Sequence, residues 1–214
     1  MDKNVIKGQL ENKLLLDRHT IIGVDEVGRG CIAGPVYAAA IILDYDKLNS
    51  LDPKHKSLIR DSKKLSPLQR QRILPVLHEI QRTSSVQFSS VREIERLGIV
   101  EATFLAMKRA FEALTIAGDL LLIDGNQKNP LIPLKQQAII GGDGSCFAIA
   151  AASILAKESR DEHMRLMAQE YPAYHFQDNV GYGTKSHLTA LAEYGITPLH
   201  RRNFAPISQY APLP

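Results

Sequence analysis

"IIGVDEVGRGCIAGPVYAAAIIL", residues 21–43, is two apolar runs around a glycine-rich connection, with two adjacent carboxylates, Asp25 and Glu26, inside the first run. Residues 20–27 and 35–43 read as strands, and "GRGCIAG" suits a tight or irregular link, so the stretch predicts a hairpin. An uncompensated buried carboxylate pair is expensive, so Asp25 and Glu26 call for a cation or another partner. In a regular strand the two would face opposite sides. Both reach one ligand only if the strand ends or bulges there, and Gly28 offers the place for it.

Outward from the hairpin, "LSPLQRQRILPVLHEIQ" begins a helix: Ser66 is its N-cap, Pro67 its first residue and Gln69 completes a capping box, while Pro75 is a point of kinking or splitting. "SSVQFSSV" (84–91) predicts a third strand, followed by "REIERLGIVEATFLAMKRAFEAL", a helical stretch broken at Gly98. "LLLID" (120–124) fits a strand buried on both faces and ending on Asp124; "QQAIIGGDG" gives a further strand and a loop with Asp143. Residues 145–169 predict a long alanine-rich helix, and Thr184 caps another through Tyr194, closed by Gly195. Early antiparallel strands followed by strand–helix alternation make this an α/β protein, a mixed sheet with helices packed on it.

The chain has 214 residues, 44% hydrophobic and 23% charged, with no internal repeat or low-complexity linker, which suits one compact domain. Its two cysteines, Cys31 and Cys146, have neither disulfide-framework nor zinc-ribbon spacing, so a reducing, cytoplasmic setting is expected. The first twenty residues do not read as a signal peptide, and no run reaches the roughly 18 uninterrupted apolar residues of a membrane span. A net charge of +3 permits a nucleic-acid partner without demanding one. Basic residues gather at 55–64, in "RQR" (70–72) and in "LHRRN" (199–203), which taken alone read as solvated faces.

Asp124 repeats the puzzle of Asp25: an acid at the end of an apolar strand, where open α/β sheets place ligands. Asp143 reads equally as a third such acid or as a loop residue ahead of a helix. Carboxylates brought together repel, and their ionised forms persist around a cation. Hard oxygen donors without a cysteine or histidine cluster favour Mg²⁺ or Mn²⁺ over zinc. Two such ions about 4 Å apart suit phosphodiester cleavage. On the long helix Ser153, Lys157 and Arg160 or Asp161 share one face, read as an ordinary exposed face with an ion pair or as a phosphate contact. His187 and His200 show no metal-binding pairing and are expected to be structural or nucleic-acid-facing.

These residues fall into motifs: "GVDEVGRGCIAGPV" (23–36), "RDSKKLS" (60–66), "LLIDGN" (121–126), "GGDG" followed by "AIAAASILAKESRDEHM" (148–164), and "VGYGTKSHLTALAEYGITPLHRRNF" (180–204). In this order they resemble ribonuclease HII, the type 2 ribonuclease H family, from about residue 20 to 204. The resemblance implies a ribonuclease H-like fold, a mixed five-stranded sheet flanked by helices with a C-terminal helical extension. It divides the chain into an N-terminal segment 1–19, a catalytic domain 20–204 and a tail 205–214. It implies that Asp25, Glu26, Asp124 and Asp143 are catalytic and hold Mg²⁺ or Mn²⁺. Gly28, Arg29 and Gly30 would sense the ribose 2′-hydroxyl through their backbone, and Tyr182 would read the junction between a ribonucleotide and the next deoxynucleotide. Ser62, Lys63, Lys64, Ser153, Lys157 and Lys185 would contact phosphate or otherwise bind substrate. Val27 stands where many relatives carry alanine, and Asn179 and Val180 where a basic residue is common.

The implied activity is metal-dependent hydrolysis of RNA in RNA/DNA hybrids, and cleavage 5′ to single ribonucleotides in duplex DNA, by a cytoplasmic monomer with no membrane or clamp-binding segment. A type 3 ribonuclease H would be expected to carry a further N-terminal domain, for which the residues before the first strand are too few. A non-catalytic hybrid-binding module is opposed by the four acids, because carboxylates in a phosphate groove oppose binding unless a cation is present.

Overall fold

The computed structural model describes residues 7–210, so the start of the 1–19 segment and the last four residues of the 205–214 tail lie outside the described residues. Five strands form one sheet in the order β3-β2-β1-β4-β5. They are β1 (Ile21–Val27), β2 (Val36–Leu43), β3 (Gln81–Ser89), β4 (Leu120–Asp124) and β5 (Lys135–Ile139). β1 and β2 are the expected antiparallel hairpin, β3 continues it antiparallel, and β4 and β5 join the other side of β1 in parallel. The mixed sheet expected from the sequence is thus the observed one.

The helices are α1 (Gln9–Leu16), α2 (Tyr45–Asn49), α3 (Pro53–Leu58), α4 (Pro67–Ile80), α5 (Val91–Leu97), α6 (Ile99–Glu112), α7 (Gly142–Ser145), α8 (Phe147–Glu170), α9 (Phe176–Asn179) and α10 (Lys185–Tyr194). α8 and α4 cover one face of the sheet, burying Ile21, Ala39, Ile41, Leu120 and Leu122. α6 covers the other, burying Ile22, Val24, Ala38, Ala40, Leu121 and Ile123. "LLLID" is buried on both faces, as its continuous apolar run requires, and each such Leu or Ile contributes about 2 kcal/mol relative to exposure. Gly23 is needed for the layer spacing: a Cβ there would lie 2.3 Å from the backbone of Ala148, so α8 could not lie so close to β1. A smaller core of Ile32, Ala33, Met164, Tyr174, Phe176 and Leu191 ties α9 and α10 to the loop after β1, forming the helical extension.

Some boundaries differ from the sequence reading. The third strand spans 81–89 rather than 84–91, because Ser90 and Glu93 form a capping box that starts α5 at Val91. α4 opens on the predicted Ser66–Gln69 capping box but runs through Pro75 as one helix, neither ended nor split there. The predicted 145–169 helix is divided: Ser145 belongs to α7, and α8 begins at Phe147 after an extended Cys146. α10 has the predicted limits, Thr184 accepting the His187 N–H and Gly195 following at φ 77°.

Candidate active site

β1 and β4 run parallel with Val24 opposite Ile123, so Asp25 and Asp124 follow side by side at the same sheet edge. Asp25 is buried on the α8 face. Its Oδ1 accepts the Glu26 N–H at 2.7 Å, and the nearby Ser153 hydroxyl offsets part of the effect of burial on its carboxylate. Asp124 Oδ1 accepts the Gly142 N–H at 2.7 Å, which binds the end of β4 to the short helix carrying Asp143. Three acids thus hang from one framework. The fourth differs: β1 keeps its regular register with β2 through Val27, without the bulge considered above, so Glu26 projects to the α6 face. There it lies in a small cleft with Arg29, Thr103, Phe104 and Asp124, and its Oε1 accepts from Arg29 at 3.1 Å. The strand ends directly after, where Gly28 takes φ 93°.

Burial raises the proton affinity of Asp25 far above the ordinary carboxylate value, and the charges of Glu26 and Asp124 add to it. Burial also raises Glu26, against the opposing pull of Arg29. Asp143 rises through burial and then through Asp61 and Asp124. Asp124 acts on all three. Among the described residues no three His, Cys, Asp or Glu side chains are already closed around a common point as a cage. Mutually repelling oxygen donors without sulfur or imidazole are nonetheless the chemistry that a hard divalent cation relieves, so the set fits Mg²⁺ or Mn²⁺.

The turn after β1 is clamped from below. Arg201, fully buried, donates to the carbonyls of Gly28 (2.7 Å), Arg29 (3.0 Å) and Gly34 (2.9 Å). In a trans peptide the N–H points opposite to its C=O, so the N–H groups of Arg29 and Gly30 are turned away from Arg201. Arg160, equally buried, donates to Pro35, Val180 and Ala33, and a Cβ on Gly28 would lie 2.2 Å from its Nε. Tyr182 is 38% exposed; burial of its remainder and the nearby Cys31 thiol raise its hydroxyl pKa.

Among the expected phosphate contacts, Lys63, Lys64 and Lys185 are exposed. Ser62 and Ser153 are not. Both are buried with their hydroxyls 2.9 Å apart, and Ser153 lowers the proton affinity of Asp25 against the effect of burial, so the pair supports an acid instead of presenting itself to solvent. Lys157 Nζ is engaged by Asp161 at 2.6 Å, and Asp161 and Arg160 are buried, so the helix face read as exposed is interior. The basic clusters divide likewise. Arg70 of "RQR" is buried against Glu158 (2.5 Å) and Asp161 (3.0 Å), and Arg201 of "LHRRN" is the clamp above. His187 and His200 are buried side by side among Tyr174 and Phe176, the structural one of their two expected roles.

Sequence reading missed Glu11. Its carboxylate accepts the Phe147 and Ala148 N–H groups at 2.8 and 2.9 Å, capping α8 from α1, and Tyr45 donates to it at 2.8 Å. Beside it Lys7 Nζ donates to the Asp143 carbonyl (2.9 Å) and the Gly8 N–H to that of Ser145 (2.8 Å). Burial lowers the Lys7 pKa to about 8. No local pattern announces a cap whose partner lies 136 residues away.

A family model described as Ribonuclease HII matches residues 22–207. Ribonuclease HII of Chlorobium luteolum is 45% identical over 184 residues, 86% of this chain and 88% of that protein. Ribonuclease HII of Rhodospirillum rubrum is 47% identical over 190 residues, 88% of this chain and 85% of that protein. The fold is also that of ribonuclease H2 from Pyrococcus horikoshii OT3 (TM-score 0.74, 22% identity, 89% of this chain and 96% of that one). Bst-RNase HIII in complex with Mn²⁺ is similar as well (TM-score 0.68, 20% identity, 89% of this chain and 68% of that one).

Proposed function

The chain belongs to the ribonuclease HII family, and from that premise we propose that it hydrolyses the RNA strand of RNA/DNA hybrids and cuts 5′ to a single ribonucleotide in duplex DNA, leaving 5′-phosphate and 3′-hydroxyl ends. The observation that carries this reading is the group Asp25, Glu26, Asp124 and Asp143 around one sheet edge, next to a backbone turn with two outward N–H groups. The four carboxylates would hold Mg²⁺ or Mn²⁺; the Mn²⁺ of the Bst-RNase HIII complex supports that choice. When bound, such ions supply activation of the attacking water and neutralisation of charge on the departing 3′-oxygen.

The protein's own groups do the rest. The N–H groups of Arg29 and Gly30 offer donors to a ribose 2′-hydroxyl, which a deoxyribose lacks. The exposed side of the Tyr182 ring offers a flat surface to the following deoxyribose and leaves no room for a 2′-hydroxyl. Lys63, Lys64 and Lys185 neutralise backbone phosphates and set the register of the duplex. Two buried free thiols, Cys31 and Cys146, are consistent with a reducing cytoplasm, and no helix among the described residues is long and apolar enough to cross a membrane.

The test is cleavage of an end-labelled DNA duplex with one ribonucleotide, and of a continuous hybrid, in Mg²⁺, Mn²⁺ or excess chelator. We expect a cation-dependent cut 5′ to the ribonucleotide, reduced by about two orders of magnitude or more in Asp124→Asn. Binding of both substrates without cleavage in either cation would sink the enzymatic reading.

A further inference from the structure

His187 and His200 are fully buried with their Nε2 atoms 3.0 Å apart, so one must donate and the other accept. Their neighbours decide which. The Thr197 N–H points at His200 Nδ1 at 2.9 Å, and a backbone N–H can only donate, so that nitrogen carries no proton. The proton of neutral His200 is therefore on Nε2 and is given to His187 Nε2. His187 must then carry its own proton on Nδ1, which lies 2.9 Å from the carbonyl oxygen of Tyr182. The chain of donation runs in one direction from Thr197 through both imidazoles to Tyr182. Its last acceptor also takes the Thr184 N–H at 2.8 Å, a bond within the turn; the Ile32 and Ala33 N–H groups (2.9 and 3.2 Å) hold the carbonyl of Gly181 and Arg160 that of Val180 (2.6 Å), and His187 is the side chain that ties the Tyr182 carbonyl itself to the buried core.

The residue after His200 is Arg201, whose guanidinium holds the carbonyls of Gly28 and Arg29. Two adjacent side chains therefore reach in different directions: one, through His187, to Tyr182 and the other to the turn at residues 28–30. We propose that His187 is a positioning residue for junction recognition, set in its donating tautomer by His200, and that this segment holds Tyr182 and the Gly28–Gly30 turn in one frame. Ribose and the deoxyribose after it would then be measured together as one separation. The inference rests on the roles given above to Tyr182 and residues 28–30.

The readout is a ratio within each protein: the rate on a duplex with a single ribonucleotide divided by the rate on a continuous RNA/DNA hybrid, in which loss of folded protein cancels. In His187→Asn the side-chain amide N–H replaces Nδ1–H and donates to Tyr182 without needing a tautomer to be set. In His187→Gln the amide sits at the Nε2 position and that bond is lost. We expect the ratio to fall about fivefold in His187→Gln, the weight of one net hydrogen bond. His187→Asn should keep it, as should Phe176→Leu, which loosens the same aromatic cluster without touching the chain of donors. Tyr182→Ala should lower it about tenfold or more. If Tyr182→Ala leaves the ratio unchanged, the junction role of Tyr182 falls and this inference with it. If Tyr182→Ala lowers it but His187→Gln does not, or His187→Asn or Phe176→Leu falls as far as His187→Gln, the positioning role alone is overturned.

Discussion

Gly28 and Gly30 sit two residues apart in one turn and carry different constraints. Gly28 has φ 93° and the Arg160 guanidinium pressed against the place of its missing Cβ; around Gly30 there is open space. Gly28→Ala should destabilise the protein by more than about 2 kcal/mol, combining left-handed strain with displacement of a buried cation. Gly30→Ala should leave the chemical denaturation midpoint nearly unchanged, so any activity it loses reports on the 2′-hydroxyl contact proposed for the turn. Equal midpoint shifts in the two variants would contradict this division. At this scale the sequence was informative where chemistry is costly. Asp25, Glu26 and Asp124 stood out because acids in apolar strands need a reason. It was uninformative for Ser62, Ser153, Arg160 and Arg201, whose polar side chains resemble surface residues until their distant partners are known.

Among the elements, short-range signals are legible in the sequence. The Ser66 capping box, the Thr184 cap with Gly195, the break at Gly98 and the five residues of β4 all lie where short-range chemistry puts them. What could not be read is the support that one element gives another. α8 supplies Ser153 and Arg160 and lies directly against β1, yet it has no side-chain cap of its own at Cys146. Its first N–H groups are taken by Glu11 of α1. Glu11→Ala would leave those donors buried and unpaired, and the Tyr45 hydroxyl with them, so a loss of at least about 2 kcal/mol is expected in urea unfolding. Because Lys7 and Gly8 hold the carbonyls of Asp143 and Ser145, the same variant should also weaken cation binding, read as a higher Mg²⁺ concentration for half-maximal cleavage rate.

For the molecule as a whole, the buried histidine pair gives stability a pH dependence of known sign. Burial, with His187 as the second cause, lowers His200 from 6.5 to about 4. The unfolded chain binds a proton near pH 6.5 that the folded protein refuses until about pH 4. The contribution is therefore complete above about pH 6.5 and is lost as pH falls towards 4. Its size is on the order of 3 kcal/mol. Wild type should lose more stability between pH 7.5 and 5 than His200→Phe, by urea midpoints at both values; parallel losses would assign the slope to other groups.

The topology also governs when the acids can meet during synthesis. β1 emerges early with two of them and can pair at once with β2, its neighbour in the chain. Its partner on the other side, β4, brings the third acid about a hundred residues later, and Asp143 follows later still. A parallel pairing of that span carries a loop-closure cost that only the assembled sheet and α8 repay. A nascent or truncated chain lacking β4 is thus without the acid that connects the others. The capacity to cut nucleic acid therefore arrives only together with the finished core.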